Sequence, residues 1–185
     1  MEIKKIFVIG AGQMGSGIVQ AALQAGYEVT MRDINDAILD RAKGKIEKSL
    51  DKQVTKGRLT QEAKDAMMNR LSVTVQLEDA KDADLIIEAA LEKIELKSDI
   101  FRQLDDIAKP EAIFASNTSS ISITEIASAT KNPEKFIGMH FFNPAPVMKL
   151  VEVIAGINTP KEVVDKIKAI AEEIGKTPVQ VEEGA

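Results

Sequence analysis

Residues 3–33 read IKKIFVIGAGQMGSGIVQAALQAGYEVTMRD, and this stretch decides the predicted fold. The apolar run at 6–9 predicts a strand, and the glycines at 10, 12 and 15 predict a turn that opens a helix ending near Gly26. Residues 27–32 predict a second strand, and Asp33 follows it directly. The stretch therefore contains, in order and within about 30 residues, a strand, a glycine-rich turn, a helix, a second strand and an acid.

Each of these residue types suits a dinucleotide-binding site. Gly10 permits a tight turn after a strand, Gly12 leaves the backbone open to a pyrophosphate, and Gly15 lets the helix approach the sheet. The helix N-terminus presents free N–H groups to phosphates. Asp33 lies where a carboxylate can accept both ribose hydroxyls of an adenosine and would repel a 2′-phosphate. We therefore predict NAD as the cofactor, bound by Gly10, Gly12, Gln13, Met14, Gly15 and Asp33.

Two alternatives remain open for this stretch. Arg32, beside the acid, keeps NADP as a second candidate cofactor. A doubly wound fold with an empty or altered pocket would show the same sequence pattern. The order of strand, turn and helix around the glycines favours the NAD interpretation over both.

Strand and helix patterns alternate along the rest of the 185-residue sequence. Further strands are predicted at 71–75, 84–90, 112–115, 136–139, 149–154 and 178–182. This alternation predicts the α/β class, with a Rossmann-like doubly wound, mainly parallel sheet. A hydrophobic content of 44% and a charged content of 29% are ordinary for a globular protein, and we predict one domain over residues 1–185.

Two helices are predicted after the second strand, where a doubly wound fold usually has one. Asn35 is a candidate N-cap for the first helix, and Thr60 is a candidate N-cap for the second. We expect this helical hairpin to be an insertion that serves function or packing. Gly44, inside the first helix, suggests close packing against a neighbouring element.

The first helix of the hairpin has an outer face rich in Lys and Arg. Ser49, Lys52 and Lys56 lie on one face of it at helical spacing. This face is either a solvated helix surface with charge pairs or a landing site for the phosphates of a substrate.

Composition excludes several classes of function. The net charge of −5 argues against nucleic acid or an anionic membrane as a general partner, and the absence of Cys excludes disulfides and thiolate chemistry. No apolar run approaches the roughly 18 residues that a membrane span needs, and the early first strand leaves no room for a signal peptide. We expect a cytoplasmic protein without a metal site.

The candidate chemistry lies at the ends of two later strands. His140, the only histidine, follows the strand at 136–139, and the cluster SNTSS at 116–120 follows the strand at 112–115. Carboxyl ends of parallel strands meet at the edge of the sheet where ligands bind. Histidine can take or return a proton near neutral pH, and Glu152 on the next strand is the candidate carboxylate that fixes its tautomer.

These residues also have purely structural interpretations. A single histidine is often a structural residue, and the serines of the cluster could cap the helix that starts near residue 122. Glu152 could pair with Lys149 instead of with His140. The shared sheet edge favours the catalytic interpretation.

Three segments carry a resemblance to a known family: VIGAGQMGSGI at 8–18, SNTSS at 116–120 and HFFNPAPVMKLVEV at 140–153. Together they resemble the 3-hydroxyacyl-CoA dehydrogenases, in particular the form found in bacterial butyrate metabolism. The resemblance covers essentially the whole chain. It implies an NAD-dependent oxidoreductase that interconverts 3-hydroxybutyryl-CoA and acetoacetyl-CoA by hydride transfer.

The resemblance also implies roles for individual residues. His140 matches the catalytic base and Glu152 the carboxylate that orients it. Ser119 matches the serine that hydrogen-bonds the reacting oxygen of the substrate, and Asn143 an asparagine near the nicotinamide and the substrate. The matching cofactor-side residues are Asp33, Ala89, Glu92, Lys97 and Asn117, and those that contact coenzyme A are Ser49 and Lys56.

Family members continue with a Pro-Gly-Phe segment and a helical C-terminal domain that closes the cleft and forms the homo-oligomer. This sequence stops at residue 185, and we expect that domain to be absent. NAD binding should then be retained, while catalysis becomes doubtful because water can reach the site. A non-catalytic NAD-binding module and a dehydrogenase of free hydroxy acids are the alternatives.

Overall fold

A computed structural model describes residues 2–90, 93–118 and 123–183 of the chain. The strands are β1 (Lys5–Ile9), β2 (Glu28–Arg32), β3 (Leu71–Thr74), β4 (Leu85–Glu88), β5 (Ile113–Ser116), β6 (Phe136–Phe141), β7 (Leu150–Ala155) and β8 (Thr177–Glu182). The α-helices are α1 (Gln13–Gln24), α2 (Asp36–Thr55), α3 (Gln61–Asn69), α4 (Ile94–Ile107), α5 (Ile123–Ala127) and α6 (Lys161–Glu173). Short 3₁₀ segments occupy Leu77–Asp82 and Pro133–Lys135.

The strands form one sheet in the order β3-β2-β1-β4-β5-β6-β7-β8. Neighbouring strands are parallel except β6 and β7, which are antiparallel, and β8 is parallel to β7. The winding reverses between β1 and β4, which is where open sheets of this kind bind ligands. The predicted Rossmann-like α/β fold with a mainly parallel sheet is confirmed.

Helices cover both faces of the sheet. One apolar cluster packs α1, α2 and α6 on one face, and a second packs α4 and α5 on the other. Every residue of β4 is buried, because helices on both faces exclude water from a central parallel strand. In the second cluster the ring of Phe101 on α4 lies 5.4 Å from Phe114 and 4.8 Å from Phe136, measured between centroids.

The helical hairpin follows β2 as predicted and leads the chain to β3 at the edge of the sheet. Asn35 caps α2, its Oδ1 accepting a hydrogen bond from the N–H of Ile38 at 2.9 Å. Thr60 caps α3, its Oγ1 accepting from the N–H of Ala63 at 3.1 Å. These caps satisfy N–H groups that have no partner inside the helix.

Two local expectations differ from the structure. A Cβ built at Gly44 would meet no atom within 4 Å, so the predicted close packing at this glycine is wrong. The strand predicted at 136–139 extends to Phe141, because β7 continues to pair with it, and His140 therefore lies inside β6.

No helix among the described residues combines the length and the apolar character that crossing a membrane requires.

Candidate active site and cofactor cleft

The glycine turn between β1 and α1 leaves the backbone open on one side. Gly10 has φ of +114°, a conformation that favours glycine. A Cβ on Gly15 would lie 1.8 Å from the carbonyl oxygen of Gly10, so only glycine allows the helix to start this close to the strand. A Cβ on Gly12 would meet nothing within 4 Å, so this part of the turn has space for a ligand. The turn therefore fits a pyrophosphate at the N-terminus of α1.

Asp33 is fixed by backbone amides of the same region. Its Oδ2 accepts a hydrogen bond from the N–H of Ala11 at 2.8 Å, and its Oδ1 accepts from that of Ile34 at 2.7 Å. Each carboxylate oxygen keeps a free acceptor site, which two ribose hydroxyls could use. Arg32 donates from Nε to the carbonyl oxygen of Val75 at 3.2 Å, which anchors this guanidinium beside the end of β3.

An open cleft of about 660 Å³ lies between the glycine turn, the end of β2 and α4. Six of the predicted cofactor residues line it: Gly10, Gly12, Gln13, Met14, Asp33 and Ala89. Sequence reasoning missed its apolar walls, which are Ile34, Ile38, Leu96 and Ile100. The sequence held one signal for these walls, since an apolar residue, Ile34, directly follows the acid. In the structure this large side chain is 74% exposed. An apolar slot beside the Asp33 carboxylate suits a flat heterocycle such as adenine.

Lys97 forms a buried ion pair, and its predicted contact with the cofactor stays a prediction. It does not line the cleft, and its Nζ lies 2.5 Å from Oε1 of Glu88 in a pair that is almost fully buried. Oε1 of Glu88 also accepts a hydrogen bond from Ser116 Oγ at 2.7 Å, and Oε2 accepts from the N–H of Ala90 at 2.9 Å. Glu88 thus ties the ends of β4 and β5 to α4, and sequence reasoning missed it although a carboxylate closing an apolar strand was a visible signal.

Asn117 joins the ends of two strands. Its Oδ1 accepts a hydrogen bond from the N–H of Phe141 at 2.7 Å, and it does not line the cleft. This bond connects the residue after β5 to the last residue of β6, next to His140. The predicted cofactor contact of Asn117 stays a prediction, and the structure adds a positioning contact.

His140 and Glu152 face each other across the antiparallel pair β6–β7. They are register partners, and Nδ1 of His140 lies 3.0 Å from Oε1 of Glu152. Their side chains are 25% and 32% exposed, so both remain accessible from outside. With Nδ1 directed at the carboxylate, Nε2 is the ring nitrogen left to exchange a proton with a ligand.

One row of register partners shows that the site residues share an edge of the sheet. The row crosses all eight strands and consists of Thr74, Arg32, Ile9, Glu88, Ser116, Gly138, Ile154 and Val181. Asp33, Gly10, Ala89 and Asn117 follow the row by one position in their strands, and His140 follows it by two positions in β6. The acid, the glycine turn and the histidine therefore lie at the same carboxyl edge.

The remaining predicted residues are placed as follows. Asn143 is exposed in the loop between β6 and β7. Ser119 and Glu92 lie outside the described residues. On the hairpin, Ser49 Oγ accepts a hydrogen bond from Gln20 Nε2 at 2.9 Å, and Lys56 is exposed at the end of α2. In the described parts of the chain, no group of three or more His, Cys, Asp or Glu could hold a metal ion.

Residues 5–184 match the family described as 3-hydroxyacyl-CoA dehydrogenase, NAD binding domain. The chain is 51% identical over 95% of its length to a probable 3-hydroxybutyryl-CoA dehydrogenase of Deinococcus radiodurans, and covers 63% of that protein. It is 48% identical over 97% of its length to a 3-hydroxybutyryl-CoA dehydrogenase of Clostridioides difficile, and covers 64% of that protein.

Solved structures agree with these relatives. A crystal structure of 3-hydroxybutyryl-CoA dehydrogenase from Escherichia coli superposes with a TM-score of 0.96 at 43% identity, over 99% of this chain and 39% of that one. The corresponding (S)-3-hydroxybutyryl-CoA dehydrogenase from Ralstonia eutropha gives 0.95 at 41% identity, over 99% and 65%. The chain thus spans a little under two thirds of the curated relatives described above.

Proposed function

We propose that this chain is the cofactor-binding and proton-transferring part of a short-chain 3-hydroxyacyl-CoA dehydrogenase. The chain belongs to the 3-hydroxyacyl-CoA dehydrogenase family through its NAD-binding domain. The reaction is the NAD-dependent interconversion of 3-hydroxybutyryl-CoA and acetoacetyl-CoA. The family match identifies the cofactor class as NAD, in agreement with Asp33 at the end of β2.

The observation that carries the proposal is the His140–Glu152 pair at the sheet edge that also holds the glycine turn and Asp33. A structural histidine would not require a partly exposed carboxylate on Nδ1 and a partly exposed ring. The same arrangement in catalytic sites orients an imidazole and stabilises its protonated form.

The residues of this chain have separate tasks in the proposed reaction. NAD, when bound, supplies the nicotinamide ring that accepts or returns the hydride. Asp33 and the glycine turn hold the adenosine and pyrophosphate ends. His140 takes the proton of the 3-hydroxyl group at Nε2 during oxidation, and returns it during ketone reduction. Glu152 stabilises the imidazolium that forms in between.

The basic face of α2 is the proposed contact for the coenzyme A part of the substrate. Ser49 accepts from Gln20 through Oγ, so its own hydroxyl proton is free to donate to a phosphate. Lys56 lies seven residues further, nearly two helical turns away on the same side, and is exposed.

The first test is NADH oxidation with acetoacetyl-CoA by the 185-residue chain, paired with calorimetric titration of NADH into the same sample. His140→Gln should lower turnover by about 10²–10⁴-fold, because it removes the general acid. The Kd for NADH should stay unchanged, because His140 does not line the cofactor cleft.

Equal loss of turnover and of NADH affinity in His140→Gln would contradict the assigned role. NADH binding without turnover in the wild-type chain would favour the alternative, a cofactor module that needs another domain or chain for activity.

The substrate class is tested by competition with coenzyme A. Coenzyme A alone should compete with acetoacetyl-CoA, and Lys56→Glu should weaken this competition about tenfold or more, because it reverses a charge-assisted phosphate contact. Lys43→Glu is the matched control, since Lys43 is an exposed lysine on a different side of α2. Competition that is absent, or equally weakened by both variants, would favour a dehydrogenase of free hydroxy acids.

Two finer predictions belong to this proposal. Assembly into a homo-oligomer through a C-terminal helical domain agrees with the greater length of the relatives. A cytoplasmic location agrees with the sequence free of Cys.

A further inference from the structure

Lys176 is a buried lysine immediately before β8. The residue is only 7% exposed. Its Nζ donates hydrogen bonds to the carbonyl oxygens of Ala145 and Met148, the latter at 2.7 Å. Among the described residues it forms no ion pair with a carboxylate. Burial, together with the nearby charge of Lys149, lowers the pKa of Lys176.

Both acceptors of Lys176 belong to the loop at 142–149, which joins β6 to β7 and is called the dyad loop below. The loop contains a tight turn in which the N–H groups of Val147 and Met148 both donate to the carbonyl oxygen of Pro144, at 3.0 and 2.9 Å. The ammonium of Lys176 binds carbonyls of this same turn. It therefore holds together the segment whose two ends lead to His140 and Glu152.

The dyad loop also packs on α1. Ala145 is 1% exposed, and a Cβ built on Gly17 of α1 would come within 3.0 Å of the Cβ of Ala145. Ala145 thus contacts both Lys176 and the helix that begins at the glycine turn. Its position relative to the cofactor turn depends on both contacts.

We propose that Lys176 is a positioning residue of the active site, which clamps the dyad loop against α1 and so sets Asn143 and the β6–β7 register relative to the glycine turn. This rests on the proposed function, since the clamp matters for catalysis only if His140 and Glu152 are the reacting pair. An apolar side chain at 176 would fill the space but leave the buried carbonyl of Ala145 and the partly buried carbonyl of Met148 without this donor.

The test compares Lys176→Met with Lys149→Met. Met keeps the length of the side chain and removes the donors, and Lys149→Met makes the same chemical change at an exposed lysine of the dyad loop itself. In Lys176→Met, amide exchange of Val147 and Met148 should speed up by roughly tenfold or more, because the turn loses its clamp. Turnover should fall about 10- to 100-fold with the NADH Kd unchanged, because the reacting groups are misplaced while the cofactor cleft is intact.

His140 provides a readout that needs no turnover. It is the only histidine, so its ring resonances are free of overlap, and Lys176→Met should broaden or shift them more than Lys149→Met does. If the wild-type chain binds NADH but turns over no substrate, the alternative of a cofactor module is favoured, and the exchange and histidine data still decide on the clamp. Unchanged exchange and unchanged histidine resonances in Lys176→Met would overturn it, as would equal effects of the two variants.

A measurement on the wild-type chain covers the case in which Lys176→Met does not fold. The ammonium protons of Lys176 should exchange slowly with water and show NOEs to Ala145 and Met148. Rapid exchange without these NOEs would overturn the clamp.

Discussion

A lysine–carboxylate ion pair lies at each end of β4, and the two pairs differ in how deeply they are buried. Asp84, just before the strand, pairs with Lys109, whose side chain is 29% exposed. Glu88, at the end of the strand, pairs with Lys97, and neither side chain is more than 4% exposed. The first pair lies at the amino edge of the sheet and the second at the carboxyl edge, beside the cofactor cleft.

The two acids also have different hydrogen-bond partners. Asp84 Oδ2 accepts from the N–H groups of Lys4 and Lys5, at 2.8 and 3.0 Å, and so ties the start of β1 to β4. Glu88 holds Lys97 and Ser116, which belong to elements that frame the site. At the amino edge, Asp84 therefore connects two strands of the fold. At the carboxyl edge, Glu88 holds residues that lie next to the partly open cleft.

The difference in burial predicts a difference in free energy. A partly exposed ion pair contributes little beyond its hydrogen bonds, because water screens it. A fully buried pair need not stabilise the fold relative to an apolar core, but removing one partner leaves a buried charge without compensation. The two ends of β4 should therefore respond unequally to loss of the carboxylate charge.

Glu88→Gln is expected to have the larger effect of the two. It keeps the size of the side chain and removes the charge that Lys97 contacts, so the free energy of unfolding should fall by about 3–5 kcal/mol. Denaturant unfolding measures this loss, and NADH affinity per folded molecule should also fall because Glu88 holds the cofactor edge.

Glu95→Gln is the matched control on α4, because Glu95 is exposed there and should change stability by less than about 0.5 kcal/mol. A loss in Glu88→Gln no greater than in this control would remove the contrast between the two edges.

Asp84→Asn should have a smaller effect, about 1–3 kcal/mol, with no change in NADH affinity. Burial alone would raise the pKa of this carboxyl, but hydrogen bonds from Lys109 and from the N–H groups of Lys4 and Lys5 outweigh it and hold the pKa below its ordinary value of 3.8. The stabilisation is therefore present above that ordinary value and is lost as the pH falls through the lower pKa of the folded state.

Unfolding free energies of the wild type and of Asp84→Asn, measured from pH 7 down to acid, should therefore converge as the pH drops. A gap that stays constant, or that widens toward acid, would show that Asp84 does not act through its charge.

The sequence predicted the fold because hydrophobic periodicity and the glycine turn are local signals. Gly10, Gly12 and Asp33 lie within one βαβ unit, and their spacing alone predicts a shared cleft. The partnership of His140 with Glu152 was also predictable, since a short loop between two strands brings them together. The contact is observed, and their catalytic roles remain predictions.

Long-range pairing of side chains was not predictable in the same way. Lys97 was assigned to the cofactor, but its partner Glu88 lies on a different element, and the burial of the pair depends on how α4 packs on the sheet. In the sequence, nothing distinguishes Lys176 from other basic residues that follow a helix. Its acceptors are backbone carbonyls about 30 residues earlier in the chain. Backbone acceptors carry no sequence signal, because every residue has one.

The antiparallel register of β6 and β7 has a consequence for how the site can be lost in evolution. Side chains alternate between the two faces of a sheet, so a slip of one residue in β7 would set Val151 or Val153 opposite His140 and turn Glu152 to the other face. Single-residue insertions or deletions within these strands would thus separate the pair while leaving both residues in the gene. Keeping His140 and Glu152 in contact therefore depends on the register of β6 and β7 as well as on the identities of the two residues.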